Sequence, residues 1–287
     1  DIGQTRVYFK YPKQALASDK RYIQSLLKKT EDVLLGGRLQ DEDRFPMLYT
    51  HYIDLDSFVD YFIHTEITKN MDGYISSTYF SVDIQDGKLK AGPPWDFDLA
   101  FGNAAGWNGY YTGYDQWTFK GPNQRKFSRL AQWYTKLLQD SQFKEKLVSR
   151  WQALRSDGGA LSDRSVAQQF SKQKQLLRRS VARNLNKWPL GSVSTQDNRI
   201  PMVGTKGTWQ GEVDSLQQWV TNRMDWMDKE LESYMEGRAL EVRSLQRTTF
   251  GAAFDDSAYN AEQPMFPLVA NIRREIRDFW GPAAFFN

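Results

Sequence analysis

One hairpin limits what this chain can fold into. Residues 77–94 read STYFSVDI-QDG-KLKAGPP: two runs of strand-forming residues flank a Gln85-Asp86-Gly87 turn. Pro93 and Pro94 have no N–H to give to a ladder, so regular pairing must end there. Outside the hairpin, strand spacing recurs only in TRVYFKYP at residues 5–12, and most of the remaining long segments have helical spacing. Ser18–Leu35 reads as a helix capped by Ser18 and stopped by Gly36-Gly37. A second helix starts at an Asp54 N-cap, with Leu55, Phe58, Val59, Phe62 and Ile63 on one apolar face, and runs out at Asn70–Gly73. Helices are also predicted over Lys126–Arg155, Ser162–Lys187 and Glu212–Met235, and LVANIRREIRDFW in the tail is amphipathic. The expectation is an α+β domain with a largely helical C-terminal half.

Composition excludes several chemistries. With no cysteine, the chain can form neither disulfides nor thiolate metal sites and has no cysteine nucleophile. Only His51 and His64 are present, so a histidine-rich zinc site is excluded and a hydrolase triad would have to use one of them. His64, between apolar positions of its helix, reads as a packed side chain. A net charge of +3 is too weak to argue for nucleic acid or an anionic membrane. No apolar run is long enough to span a bilayer. The basic stretch Lys172–Arg179 reads as a solvated helix face. The sequence opens at Asp1 without an initiator methionine, which suggests a processed chain or a piece of a longer one.

Against this background GPPWDFDLAFGN, residues 92–103, stands out: Asp96 and Asp98 sit among Trp95, Phe97, Leu99 and Phe101. Counting outward from the turn along equal arms places Ser77 opposite Trp95 and brings Asp72 within reach of Asp96. If the backbone stays extended, Asp96 and Asp98 share one face and Phe97 turns to the core. Carboxylates gathered this way repel unless a cation or shared proton compensates. An oxygen-only donor set suits Mg²⁺, Mn²⁺ or Ca²⁺ better than zinc, although the EF-hand order is missing. The alternative is a solvated or capping pair, with Gly102-Asn103 as an ordinary turn. The aromatic loop that follows, with Trp107, Tyr111 and Trp117, reads either as a stacking platform for a sugar, base or partner side chain or as internal packing. Lys69, at a helix C-terminus, reads as solvated or as an approach to a phosphate.

The run IDLDSFVDYFIHTEITKNMDGYISSTYFSVDIQDGKLKAGPPWDFDLAFGN resembles the core signature of the spore-coat protein H (CotH) kinase family. That family shows an Asn-x-Asp loop, a short hairpin, then Gly-Pro-x-Trp-Asp-x-Asp and Gly-Asn. The likeness extends to about WVTNRMDWMDKELE, which sets an expected domain at residues 1–235 and an extension of unassigned role at 236–287. The resemblance implies an atypical protein-kinase-like lobe that transfers the γ-phosphoryl of ATP to protein Ser/Thr hydroxyls with Mg²⁺ or Mn²⁺. It would make Asp72 the residue that orients or deprotonates the acceptor, Asp96 the metal-binding aspartate and Asp98 a second ligand or its organiser. Ser77 falls where kinases place a metal-binding Asn, and Lys69, Asn70 and Asn103 would lie near the phosphates. Only 71 residues precede Asp72, without a Gly-rich loop or V-A-I-K-like strand, so the nucleotide-clamping part is expected to be missing and activity is expected of a longer protein. The family also suggests an extracellular, cell-surface or periplasmic location. Two other readings stand beside this one: a surface binding module that takes carbohydrate or protein on the Trp107–Phe119 loop, and a carboxylate-pair glycoside hydrolase.

Overall fold

The structure, a computed structural model, describes residues 7–36, 49–83, 85–104, 109–190 and 207–249. Its elements in chain order are α1 (Ala17–Leu35), α2 (Leu55–Thr68), strands β1 (Phe80–Val82) and β2 (Leu89–Ala91), 3₁₀ turns at Gly109–Tyr111 and Thr118–Lys120, then α3 (Pro122–Phe127), α4 (Arg129–Leu137), α5 (Ser141–Arg155), α6 (Asp163–Lys187) and α7 (Trp209–Thr249). It is mostly helical with one small antiparallel sheet, in keeping with an α+β domain. Two compact units divide the chain, Asp1–Leu240 and Glu241–Asn287; the described residues of the second are the last turns of α7.

Everything is arranged around α2. Asp54 caps it as its spacing predicts, its Oδ1 accepting from the Ser57 N–H at 2.8 Å. Phe58, Val59, Phe62 and Ile63 are buried, and Phe62 sits at the centre of an aromatic cluster. Its ring centroid lies 5.7 Å from Trp117, 5.7 Å from Phe119 and 5.3 Å from Tyr134. Each such ring taken out of water contributes roughly 1.5–3 kcal/mol. Against α2 pack α5 and β2, while α1 packs on α4. From α7, Val220, Met224, Met227 and Leu231 complete the core at helical spacing. On α6, by contrast, Val166 and Phe170 touch the core, and its basic side is solvated as expected, with Lys174 paired to Asp214 at 2.7 Å. Among the described residues no helix is long and apolar enough to cross a membrane.

The structure corrects the sequence in several places. Residues 7–12 form no strand and their apolar side chains are exposed, because alternation alone cannot make a strand without a neighbour to pair with. The expected helix 126–155 is three helices, restarted where Ser128 accepts from the Ala131 N–H and Asp140 from the Phe143 N–H. Both are capping side chains embedded in a helical pattern. Near its other end α7 runs well beyond Met235, to Thr249. In the hairpin Phe80 faces Ala91, one residue short of the predicted register. At the turn the Gly87 N–H returns to the Asp83 carbonyl at 2.8 Å and Gly87 adopts φ 66°. The amphipathic segment 268–280 lies outside the described residues.

Candidate active site

Two loops build the site: residues 69–77 after α2, and residues 92–103 after β2. The first is fixed through its backbone. The Tyr61 hydroxyl donates to the Gly73 carbonyl and the Ser128 hydroxyl to the Tyr74 carbonyl, while Gln124 Nε2 donates to the Met71 carbonyl at 2.6 Å. The Asp72 carbonyl accepts the N–H groups of Ile75, Ser76 and Ser77 at 3.0, 3.1 and 3.1 Å, which closes a tight turn behind it. A carboxylate on such a loop is held by the core rather than by its own side chain.

The second loop does not stay extended, as the sequence suggested. Asp96 takes the left-handed conformation at φ 63°, and so does Phe101 at φ 55°, a costly state for a residue with a bulky side chain. Gly102, at φ 78°, lies so close to its surroundings that an added Cβ would stand 2.7 Å from both the Thr112 carbonyl oxygen and Trp219 Nε1. The Phe101 N–H reaches back to the Thr68 carbonyl at 2.6 Å and ties this loop to the end of α2. Phe97 turns inward onto His64, ring centroids 4.9 Å apart and nearly perpendicular. Burial holds the His64 imidazole neutral, its pKa lowered to about 4.

The convergence inferred from the hairpin survives both the register shift and the bent backbone. Asn70 is buried, and its side chain joins the loops: Nδ2 donates to the Asp96 carbonyl at 2.9 Å and Oδ1 accepts from the Asp72 N–H at 3.1 Å. Burial raises the Asp72 carboxyl above the ordinary carboxylate range; a hydrogen bond from Ser76 opposes this, and the charges of Asp98 and Asp96 push it further up. The three carboxylates therefore share one electrostatic neighbourhood. Asp96 and Asp98 are exposed, and among the described residues their carboxylates have no hydrogen-bond or ion-pair partner. Asn103 Nδ2 donates to the Asp98 carbonyl at 2.7 Å and so braces the turn.

Other site candidates are placed differently from the sequence reading. Ser77 is buried, and it is the neighbouring, exposed Ser76 whose hydroxyl reaches Asp72. Lys69 is fully buried in a left-handed cap of α2, its ammonium donating to the carbonyls of Tyr110, Gly113 and Asp115 at 2.7, 2.7 and 2.5 Å. All three of its protons are used, which leaves none for a phosphate. Tyr111 and Trp117 are core residues rather than a stacking platform. The Tyr111 hydroxyl donates to Gln124 Oε1, and Trp117 packs on Phe62 and Trp226 while its Nε1 donates to Glu230 at 3.1 Å. Trp107 lies outside the described residues.

What the sequence reading missed is a second charge cluster beneath the loops. Glu66 and Arg223 are both fully buried and meet at 3.1 Å. The Glu66 carboxylate accepts from the Tyr74 hydroxyl at 2.9 Å and from the N–H groups of Thr118 and Phe119 at 2.7 and 3.0 Å. Burial pulls its pKa up, but every partner is a donor, so the arrangement is built for the ionised form. The Arg223 guanidinium also donates to the carbonyls of Glu66, Tyr114 and Gln116, each at 2.8 Å, and lies 4.5 Å above the Trp226 ring. Its signal was available in the sequence: an arginine inside the buried Val220, Met224, Met227 stripe must have a partner.

Among the described residues no group of three His, Cys, Asp or Glu side chains forms a metal cage. Magnesium usually takes one or two carboxylates and completes its shell with water and substrate phosphate, and the exposed Asp96 and Asp98 offer oxygen donors of that kind.

No curated protein matches the chain. A sequence family described as CotH kinase protein matches residues 3–227, and the chain belongs to that family.

Proposed function

We propose that this domain carries out metal-dependent phosphoryl transfer from ATP to Ser or Thr hydroxyls of a protein acceptor. The observation that supports the reading most strongly is the joining of the Asp72 and Asp96 loops through the Asn70 side chain, with the Asp72 carboxyl raised by burial and, less, by the charges of Asp98 and Asp96. Asp96 and Asp98 would hold a divalent cation, Mg²⁺ or Mn²⁺, whose charge offsets that of the β- and γ-phosphates. Asp72, on the rigid loop, accepts the proton of the attacking hydroxyl; a carboxyl raised above its usual range is a stronger base than a free aspartate. Ser76 steadies that carboxylate. Because Lys69 is committed to backbone carbonyls, the phosphates draw their positive partners from the cation and from groups outside these two loops.

The test is incorporation of labelled phosphate into a Ser/Thr-rich acceptor protein from γ-labelled ATP with Mn²⁺ or Mg²⁺. Asp72→Asn should lower the rate about 10²- to 10⁴-fold, the range for loss of a general base. Asp96→Asn should do the same at fixed metal. Equal incorporation by parent and both variants sinks the proposal.

A further inference from the structure

Asn70 has a place in this site that proximity to a phosphate does not describe. It is 1 % exposed, and each end of its amide is already used by the protein. The amide oxygen accepts from the Asp72 N–H and the amide nitrogen donates to the Asp96 carbonyl, 26 residues away. Only one orientation of the amide satisfies both contacts, because an N–H needs an acceptor and a carbonyl needs a donor. Asp96 is also a left-handed, non-glycine residue, a state that persists only when its surroundings enforce it. The contact from Asn70 falls on that residue's own carbonyl.

We infer that Asn70 is the positioning residue of the site: it acts through Asp72 and Asp96, fixing the distance and orientation between the base and the metal-binding carboxylate. This rests on the phosphoryl-transfer reading for its consequence and on the two hydrogen bonds for its geometry. The same carboxylates on loops free to separate would lose alignment, and a displacement of about 1 Å is enough to cost on the order of 10²-fold in rate.

Two substitutions in the whole chain test it. Asn70→Ala removes both contacts. Asn70→Asp keeps an acceptor for the Asp72 N–H but sets a carboxylate oxygen against the Asp96 carbonyl, and its nearly equal shape guards against a result due to unfolding alone. Both should lower kcat about 10²-fold while KM for ATP and acceptor stays within a few-fold. In an Asp72→Asn background, Asn70→Ala should cost less than it does in the parent, since the part of its effect that runs through Asp72 is already lost. Hydrogen exchange, which needs neither ATP nor metal, should show faster exchange at 95–101 in Asn70→Ala. An unchanged kcat, a raised KM at full kcat, or the same additional loss in the Asp72→Asn background overturns the inference. If the parent transfers no phosphate, the functional reading fails by itself, and the exchange result still decides the clamp: unchanged exchange at 95–101 disproves it.

Discussion

Two clusters of charge lie side by side in the sequence, with five residues between Glu66 and Asp72, and they follow opposite rules. In the first, Glu66, Lys69 and Arg223 are entirely buried and their charges are met by hydrogen-bond partners on every side. In the second, Asp72, Asp96 and Asp98 carry the same sign, and the two outer carboxylates face solvent without a protein partner among the described residues. Saturation marks structure. A charge buried with all its partners fixes the chain around it, here the 109–121 loop folded over Lys69 and Arg223 through its carbonyls. Like charges brought near one another by backbone contacts repel, and a ligand of opposite sign would offset that repulsion.

The comparison breaks most visibly in the buried cluster. Arg223→Met removes the cation and leaves the buried Glu66 carboxylate without its counter-charge, which should cost about 3–5 kcal/mol of unfolding free energy, measured by urea denaturation. A loss below about 1 kcal/mol would mean that the cluster is not what holds the loop.

A smaller effect concerns the boundary between the clusters, where His64 packs under Phe97. Its pKa is lowered to about 4 from the ordinary 6.5. Above pH 6.5 the imidazole is neutral folded or unfolded, and its contribution to stability is complete. Between 6.5 and 4 only the unfolded chain takes up the proton, so stability falls as pH drops, by roughly 3 kcal/mol across the window. His64→Gln should flatten that part of the pH–stability curve. Parallel curves for the parent and His64→Gln would show that His64 is not held neutral.

How much of this could be read beforehand depended on whether the signal was local. The Asp54 cap, the α2 face and the hairpin are local patterns, and they emerged nearly as spaced. The meeting of Asp72 with Asp96 was legible because a hairpin folds chain length into proximity, and a one-residue error in register moves the ends by little. The Asn70 clamp was not legible: two short-range hydrogen bonds from an amide leave no pattern in spacing. Nor was the Glu66–Arg223 pair, whose partners are 157 residues apart, although an arginine on an apolar helix face announced that a partner was needed. The aromatic loop stayed open between two readings because buried and ligand-facing rings have the same composition; internal packing is the one that holds for Tyr111 and Trp117, in a loop whose carbonyls turn inward onto Lys69 and Arg223.

The contrast between saturated and unsatisfied charge is tested most directly by the unfolding free energy of the Asp96→Asn/Asp98→Asn double variant beside the parent, with and without Mn²⁺. Without the ion the double variant should be at least as stable as the parent, since it relieves repulsion and gives up no contact. At an ion concentration about 100 times Kd the parent should gain about 2.7 kcal/mol and the variant nothing. A variant that loses more than about 1 kcal/mol without the ion, or that gains as much as the parent with it, would show that Asp96 and Asp98 are structural charges and contradict the site assigned to them.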